Sequence, residues 1–208
     1  MKDTYVGGSY ISAITVNWAL AEMIRNPVIL EKAQAEVRGA FGPTGRVEAV
    51  ELVELKYLKM VIKETLRIHP PVPLIPRECR EKCEINGYVI PAKTTVIINA
   101  WAINRDHMYW KDGETFDPER FRDSSIDFKG SHFEFVPFGG GSRICPGLNF
   151  GIANVELLLA MLLYHFDWEL PDGLKSENLD MTEKFNSFGE RKNNLYLIPE
   201  VHQALPKC

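Results

Sequence analysis

The chain has 208 residues, 45% hydrophobic and 25% charged, enough to bury one sizeable core and with no compositional mark of disorder. Its net charge of −4 gives no basis for binding nucleic acid or an anionic membrane surface. Four cysteines, at positions 79, 83, 145 and 208, form no secreted disulfide framework, so a reducing compartment is the expectation.

No uninterrupted run of about 18 apolar residues and no charged-then-apolar leader occurs, so neither a membrane span nor a secretory leader is expected here. Residues 1–26 form an apolar-rich helical stretch through Val6, Ile14, Trp18, Leu20, Ala21 and Ile24, with no capping signal before it. Gly7 and Gly8 in its interior cost about 1 kcal/mol each relative to Ala, which fits a backbone pressed near a ligand or a helix distortion. Asn26-Pro27 ends this helix and starts another, with Asn26 as cap and Pro27 at the first helical position. From Pro27 to about Ala40, the charges and amides of Glu31, Lys32, Gln34, Glu36 and Arg38 predict a solvated amphipathic face, ending near Gly42-Pro43.

Leu55 to Ile68 is the next apolar-periodic helix, closed by Pro70-Pro71. Within it Glu64 and Arg67 leave one face; an isolated pair of this kind reads as a surface ion pair worth roughly a few tenths of a kcal/mol. Cys79-Arg80-Glu81-Lys82-Cys83 lacks a second pair at zinc spacing and reads as a polar loop rather than half a metal site. Asn86-Gly87 between Cys83-Glu84-Ile85 and Tyr88-Val89-Ile90 predicts a two-residue hairpin, and Thr94 to Ala100 a buried strand. Residues 106–137 lack clear periodicity but are rich in aromatics and prolines.

The most informative stretch is Phe138 to Gly147. Three successive glycines allow positive φ and inward-facing amides, which favour an anion such as the Cys145 thiolate. Leu148, Ile152, Val155, Leu159, Leu162 and Phe166 then recur at helical steps, so a buried helix starts just past Pro146 with its positive dipole end toward the sulfur. Arg143 is a fixed cation for an anionic cofactor edge, and Phe138 a shield for the sulfur. Met181 to Pro199 predicts a terminal hairpin with its turn at about Phe185 to Gly189.

Phe138, Gly141, Arg143, Cys145 and Gly147 fill the spacing Phe-x-x-Gly-x-Arg-x-Cys-x-Gly, which resembles the haem-binding signature of the cytochrome P-450 superfamily. Two further motifs lie in that family's order. Glu64-Thr65-Leu66-Arg67 resembles the Glu-x-x-Arg pair of helix K, and Pro118-Glu119-Arg120-Phe121 the motif that adds a second arginine to it. Asp127-Phe128-Lys129-Gly130 and the run from His165 to Pro171 resemble plant microsomal members acting on terpenoids and related secondary metabolites.

The resemblance implies a mainly α fold with small β hairpins and sheet, namely the C-terminal part of the family fold: partial helix I, helices J, K and L, a meander and the Cys loop. It implies one partial haem-binding domain over residues 1–208, without the N-terminal anchor and roughly the first three-fifths of that fold. Haem b is the implied cofactor, with Cys145 as axial ligand of its iron and Arg143, Phe138, Gly141, Gly147 and Arg77 around it. Arg77, after Pro76, is implied to face a haem propionate, its planar fork suiting a carboxylate. Glu64, Arg67 and Arg120 are implied to form a partly buried network bracing the Cys145 loop. Gly7, Gly8, Val72, Leu74, Ile75, Phe185 and Phe188 are implied to face substrate.

One stretch departs from the family pattern. Where members carry an acid and a threonine that handle protons in helix I, this chain has Tyr10 and Ile11, leaving Ser9 and Ser12 as possible substitutes. The segment Pro70 to Pro76 is also one residue shorter than expected. No nicotinamide or flavin site is visible, because neither Gly7-Gly8-Ser9-Tyr10 nor the triple glycine completes a G-x-G-x-x-G or phosphate-loop pattern. Three functional readings follow from the resemblance. The first is a monooxygenase oxidising a small lipophilic, terpenoid-like metabolite with O2 and electrons from NADPH-cytochrome P-450 reductase, on the cytosolic face of the endoplasmic reticulum membrane. The second is a haem-thiolate isomerase or dehydratase that does not activate O2, and the third a truncated product without enzymatic activity.

Overall fold

The computed structural model describes residues 6–42, 47, 51–184 and 186–202. A π-helical turn at Val6–Tyr10 runs directly into helix α1 (Ile11–Arg25), so the two interior glycines coincide with a helix distortion, one of the two readings their cost allowed. α1 is buried on most of its circumference, with Trp18, Ala19, Ala21 and Met23 fully enclosed. Helix α2 (Pro27–Phe41) follows with Pro27 at its first turn and Gly42, at φ 53°, beyond its last. Asn26 does not cap α2 with its side chain. Its amide nitrogen instead donates back to the Glu22 carbonyl at 2.8 Å, closing α1.

The polar face of α2 is less solvated than its composition predicts. Gln34 is buried and donates to the Phe166 carbonyl at 3.1 Å, while Arg38 reaches the carbonyls of Leu163 and Phe166 and the Asp167 carboxylate. Glu36 accepts from the Tyr57 and Leu58 amides at 2.7 and 2.9 Å, capping helix α3 (Lys56–Ile68) from outside its own segment. These side chains are tertiary connectors, a role that periodicity along one helix does not reveal.

Strand β1 (Leu74–Glu78) pairs antiparallel with β4 (Thr95–Asn99), and β2 (Cys83–Ile85) with β3 (Tyr88–Ile90). Asn86 and Gly87 both take positive φ, 49° and 81°, as the predicted two-residue turn requires. β4 is not a buried strand. Its residues alternate between exposed and half-buried because it belongs to a two-stranded sheet covered on one side, and the chain turns into a short helix α4 (Ala100–Ile103) where the apolar run suggests further strand.

Residues 106–137 are turns and one 3-10 segment, Pro118–Phe121, around a cluster of Trp110, Phe121, Phe128 and Phe135. Helix α5 (Leu148–His165) then enters the core through Val155, Leu159, Ala160 and Leu163, meeting α1, α2 and α3. It is long and apolar enough to cross a membrane by length and composition alone, so the expectation that no such segment exists is corrected, although here it serves as a core helix. Phe166 falls outside it: the backbone turns extended at that residue and starts β5 (Phe166–Glu169).

The C-terminal segment is not one hairpin. Residues 182–192 fold back on themselves through Lys184 N–H to Glu190 O and Lys192 N–H to Thr182 O, both 2.8 Å. Strand β6 (Ile198–Val201) instead pairs with β5, to which the core anchors it. Removing the outside cap of α3 tests this account of the fold. Glu36→Ala should lower stability by about 1–2 kcal/mol, read as a shift in the urea midpoint without a change in slope.

Candidate functional site

The loop from Phe138 to Gly147 is shaped by two glycines rather than three. Gly139 and Gly141 take φ 72° and 66°, whereas Gly140 is extended at −158°. Gly139 also lacks room for a side chain, since a Cβ there would lie 3.1 Å from Nη2 of Arg77. The loop closes through Cys145 N–H to the Phe138 carbonyl at 2.9 Å and Ile144 N–H to Gly141 O at 3.1 Å. These amides are therefore spent on carbonyls and do not aim at the sulfur, which corrects the expectation of an amide nest. α5 begins at Leu148 as expected, and Cys145 itself is exposed with a free thiol.

Cys145 opens into a cavity of about 510 Å3 with mostly apolar walls, in the range of small-molecule sites. α1 and the π turn before it contribute Gly7, Ile11, Ser12 and Thr15 to one wall, and α5 contributes Ile152 and Val155 to another. Val72, Ile75 and Arg77 line it from the β1 side, Phe138, Arg143 and Gly147 from the Cys loop, and Phe188 from the C-terminal turn. Most of the residues expected at the cofactor and substrate are thus brought together.

Several are not. Leu74 is exposed, 49%, because neighbouring strand residues face opposite sides and the inward set is Ile75 and Arg77. Gly8 faces Phe150, whose ring lies 3.4 Å from where its Cβ would stand, and Gly141 shapes the loop without lining the cavity. Ser9 is exposed and outside the wall. Tyr10 turns away from the cavity, donating to the Glu190 carboxylate and meeting the Phe188 ring edge-on at 5.5 Å. The hydrogen bond to Glu190 pushes the Tyr10 phenol up, further from any proton donor useful near neutrality. Ser12 donates to Gly8 O at 2.9 Å, so its hydroxyl proton is engaged within the helix, as is that of Thr15 with Ile11 O at 3.2 Å. Phe185 lies outside the described residues.

The charged groups at the cavity lack anionic partners. Arg77 donates only to carbonyls, Pro76 O at 2.9 Å and Arg143 O at 3.3 Å, and the Arg143 guanidinium makes no ion pair among the described residues. An accessible thiol between two cations without carboxylates, in an apolar cavity, suits a group that presents a metal and carboxylates together. The donor set therefore fits haem b: Cys145 for the iron, Arg77 and Arg143 for its carboxylates.

Behind the loop lies the most enclosed polar group of the fold. Glu64 and Arg67 are both fully buried and joined bidentately, two N–H···O bonds of 2.8 Å. Arg120 adds a third bond to Glu64 at 2.9 Å, and the Asp117 amide a fourth at 2.8 Å. The remaining guanidinium donors of the two arginines hold the carbonyls of Asn104, Lys111, Gly113 and Thr115. Arg67 also stands 5.2 Å over the Trp110 ring, which packs on Phe135 and donates to Glu134 O at 3.1 Å. The network thus reaches the Cys loop through the meander rather than by touching it.

Sequence reasoning missed a second tie. His69, at the end of α3, stacks on Trp18 with ring centroids 3.7 Å apart, and its two nitrogens face Glu22 at 2.8 Å and Glu183 at 3.3 Å. Trp18 donates to Gly189 O at 2.6 Å, and the Gly189 amide to Pro71 O at 3.0 Å. A Cβ on Gly189 would stand 2.5 Å from Pro70 O. This clasp sets the Pro71–Ile75 wall and the Phe188 turn against α1. The one available signal was a histidine directly before Pro70-Pro71, which carries no information about partners more than forty residues away.

Two tests follow. Glu64→Ala strands Arg67 in the interior and should cost about 3–5 kcal/mol, seen as a large drop in thermal midpoint. For the clasp, burial opposes ionisation of Glu183, but the hydrogen bond and charge of His69 and the charge of Arg105 outweigh it and hold the carboxyl below its usual range. A depressed carboxyl stabilises the fold above the unfolded value of about 4.3 and loses that contribution as pH falls through the folded value. Glu183→Gln should therefore flatten the decline of stability between about pH 5 and pH 3 in acid titrations of the unfolding midpoint.

Comparison with known proteins agrees with this geometry. The cytochrome P450 family model matches residues 1–198. The chain is 57% identical to a salviol synthase of Salvia pomifera over 99% of its length, and 57% identical to a desmethyl-deoxy-podophyllotoxin synthase of Sinopodophyllum hexandrum, also over 99%. It is 57% identical to tabersonine 6,7-epoxidase isoform 1 of Catharanthus roseus over 97%. It spans 42%, 41% and 40% of the length of these three relatives. A sequence matched almost throughout, folded as this one is around an accessible cysteine, belongs to the cytochrome P450 family, whose cofactor is haem b.

Proposed function

We propose that the protein is a monooxygenase that oxidises a small lipophilic secondary metabolite, terpenoid in character, using O2 and electrons delivered by a reductase. The observation that carries this reading is the accessible Cys145 thiol at an apolar cavity of about 510 Å3 with two carboxylate-free arginines beside it. Haem bound there supplies the redox chemistry that activates O2. The chain's own residues do the rest. Cys145 holds the iron, Arg77 and Arg143 fix the ring's orientation through its carboxylates, and Ile75, Val72, Ile152 and Phe188 exclude water and seat an apolar substrate. Relatives named for the synthesis of salviol and of desmethyl-deoxy-podophyllotoxin, and an epoxidase, support an oxygenated plant metabolite as product.

Residues 1–208 are read as one partial haem-binding domain. The implied reductase would approach on the side that bears Cys145, and the location would be the cytosolic face of the endoplasmic reticulum. The reading predicts that the reduced full-length protein, exposed to CO, shows the absorption band after which the family is named. Cys145→Ser should abolish the band and NADPH-dependent product formation together; a retained band in that variant would overturn the reading.

A specific observation favours a second reading, in which the protein isomerises or dehydrates an oxygenated substrate without activating O2. Ile11 lines the cavity where the family pattern places a proton-handling threonine, and Tyr10 is directed elsewhere. Turnover without NADPH would select this reading. Under the monooxygenase reading, Ile11→Thr should raise the product formed per NADPH consumed several-fold, because it restores a hydroxyl at the cavity wall.

A further inference from the structure

Away from the cavity, the fold holds one pair of nucleophilic side chains together. Cys79 follows β1 and Cys83 opens β2, and their Sγ atoms stand 3.6 Å apart. Both are free thiols, Cys83 exposed and Cys79 half-buried. The backbone at each is pinned to one returning segment. Cys79 N–H donates to Thr94 O at 2.9 Å, Lys93 N–H donates to Cys79 O at 2.7 Å, and Cys83 pairs with Ile90 across the hairpin. Arg80, Glu81 and Lys82 are exposed between them, so the two sulfurs meet across the neck of a short surface loop.

This arrangement does not suit a metal, because among the described residues no third histidine, cysteine or carboxylate joins the two thiols. It does suit oxidation. A disulfide needs its sulfurs about 2.05 Å apart, so closure asks for about 1.5 Å of approach, within reach of a χ1 change on an exposed loop. Pinning both ends of the loop keeps each sulfur at high effective concentration toward the other. Neither thiol belongs to the haem site, and neither lies in the core.

We propose that Cys79 and Cys83 form a surface dithiol that small-molecule disulfides such as glutathione disulfide convert to an intrachain Cys79–Cys83 disulfide. The thiolate of one cysteine attacks glutathione disulfide, breaking its S–S bond, forming a mixed disulfide and releasing one glutathione thiolate. The thiolate of the second cysteine then attacks the mixed disulfide at the cysteine sulfur and expels the second glutathione. The two cysteine sulfurs lose two electrons and two protons, and the two glutathione thiols gain them. The new bond ties the end of β1, the strand that places Ile75 and Arg77 in the cavity wall, to the β2–β3 hairpin.

The test is peptide mapping of the reduced protein after incubation with glutathione disulfide, alkylation of remaining thiols and tryptic digestion without reductant. Trypsin cuts after Arg80 and Lys82, so the proposal predicts that the peptide ending at Arg80 and the peptide from Cys83 to Lys93 remain joined, lighter by two hydrogens than their sum. Cys79→Ser and Cys83→Ser should each leave a glutathione adduct on the remaining cysteine and no joined pair. The wild-type map decides without either variant. Glutathione adducts on both cysteines with no link, full alkylation of both, or links to Cys145, to Cys208 or between chains would each overturn the proposal.

Discussion

The fold depends on one buried carboxylate. Glu64 carries four hydrogen bonds inside the protein, from both sides of Arg67, from Arg120 and from the Asp117 amide, with its side chain fully enclosed. A carboxylate taken out of water is costly unless its acceptor sites are filled, and here they are filled by two guanidinium groups and a backbone donor. The satisfaction is mutual, because Arg67 and Arg120 hold the carbonyls of an irregular segment that has almost no ladder of its own. An interaction between two side chains on one turn of α3 thus substitutes for secondary structure over residues 104–120.

The consequence for chemistry is positional. Irregular backbone is free to approach a ligand in ways helices and strands are not, but it has to be held. Trp110, gripped beneath Arg67, passes the constraint to Phe135 and Glu134, and these lead directly into Phe138. Phe138 O accepts the amide of Cys145, so the thiol stands at the end of a continuous chain of contacts that begins at Glu64. A second chain, from Trp18 and His69 through Gly189 to Pro71, fixes the opposite side of the cavity. The cavity is set between these two anchors.

Features that depend on neighbours along the chain are legible in the residues themselves. The Asn86-Gly87 turn follows from φ preferences at two residues, the start of α5 from Pro146 and the apolar period, and the Cys145 loop from glycine spacing. That Glu64 and Arg67 share a face follows from helix geometry, but their burial does not, since it comes from a segment forty residues later folding over them. Leu74 escapes sequence reasoning through a one-residue alternation that only the pairing with Asn99 decides. Tyr10 and Ser9 escape it because the π turn rotates their side chains away from the face that Ile11 and Ser12 share. Gln34, Glu36 and Arg38 resemble solvent-facing residues because amphipathic period marks polarity and says nothing of partners brought from elsewhere in the chain.

The central claim is that this framework presents the sulfur of Cys145 to iron. X-ray absorption at the iron edge of the haem-loaded full-length protein tests it most directly, because the measurement distinguishes sulfur from nitrogen or oxygen in the first coordination shell. The account predicts one sulfur scatterer that disappears in Cys145→His. A shell of nitrogen and oxygen alone in the unaltered protein, or a sulfur that persists in the variant, would contradict it.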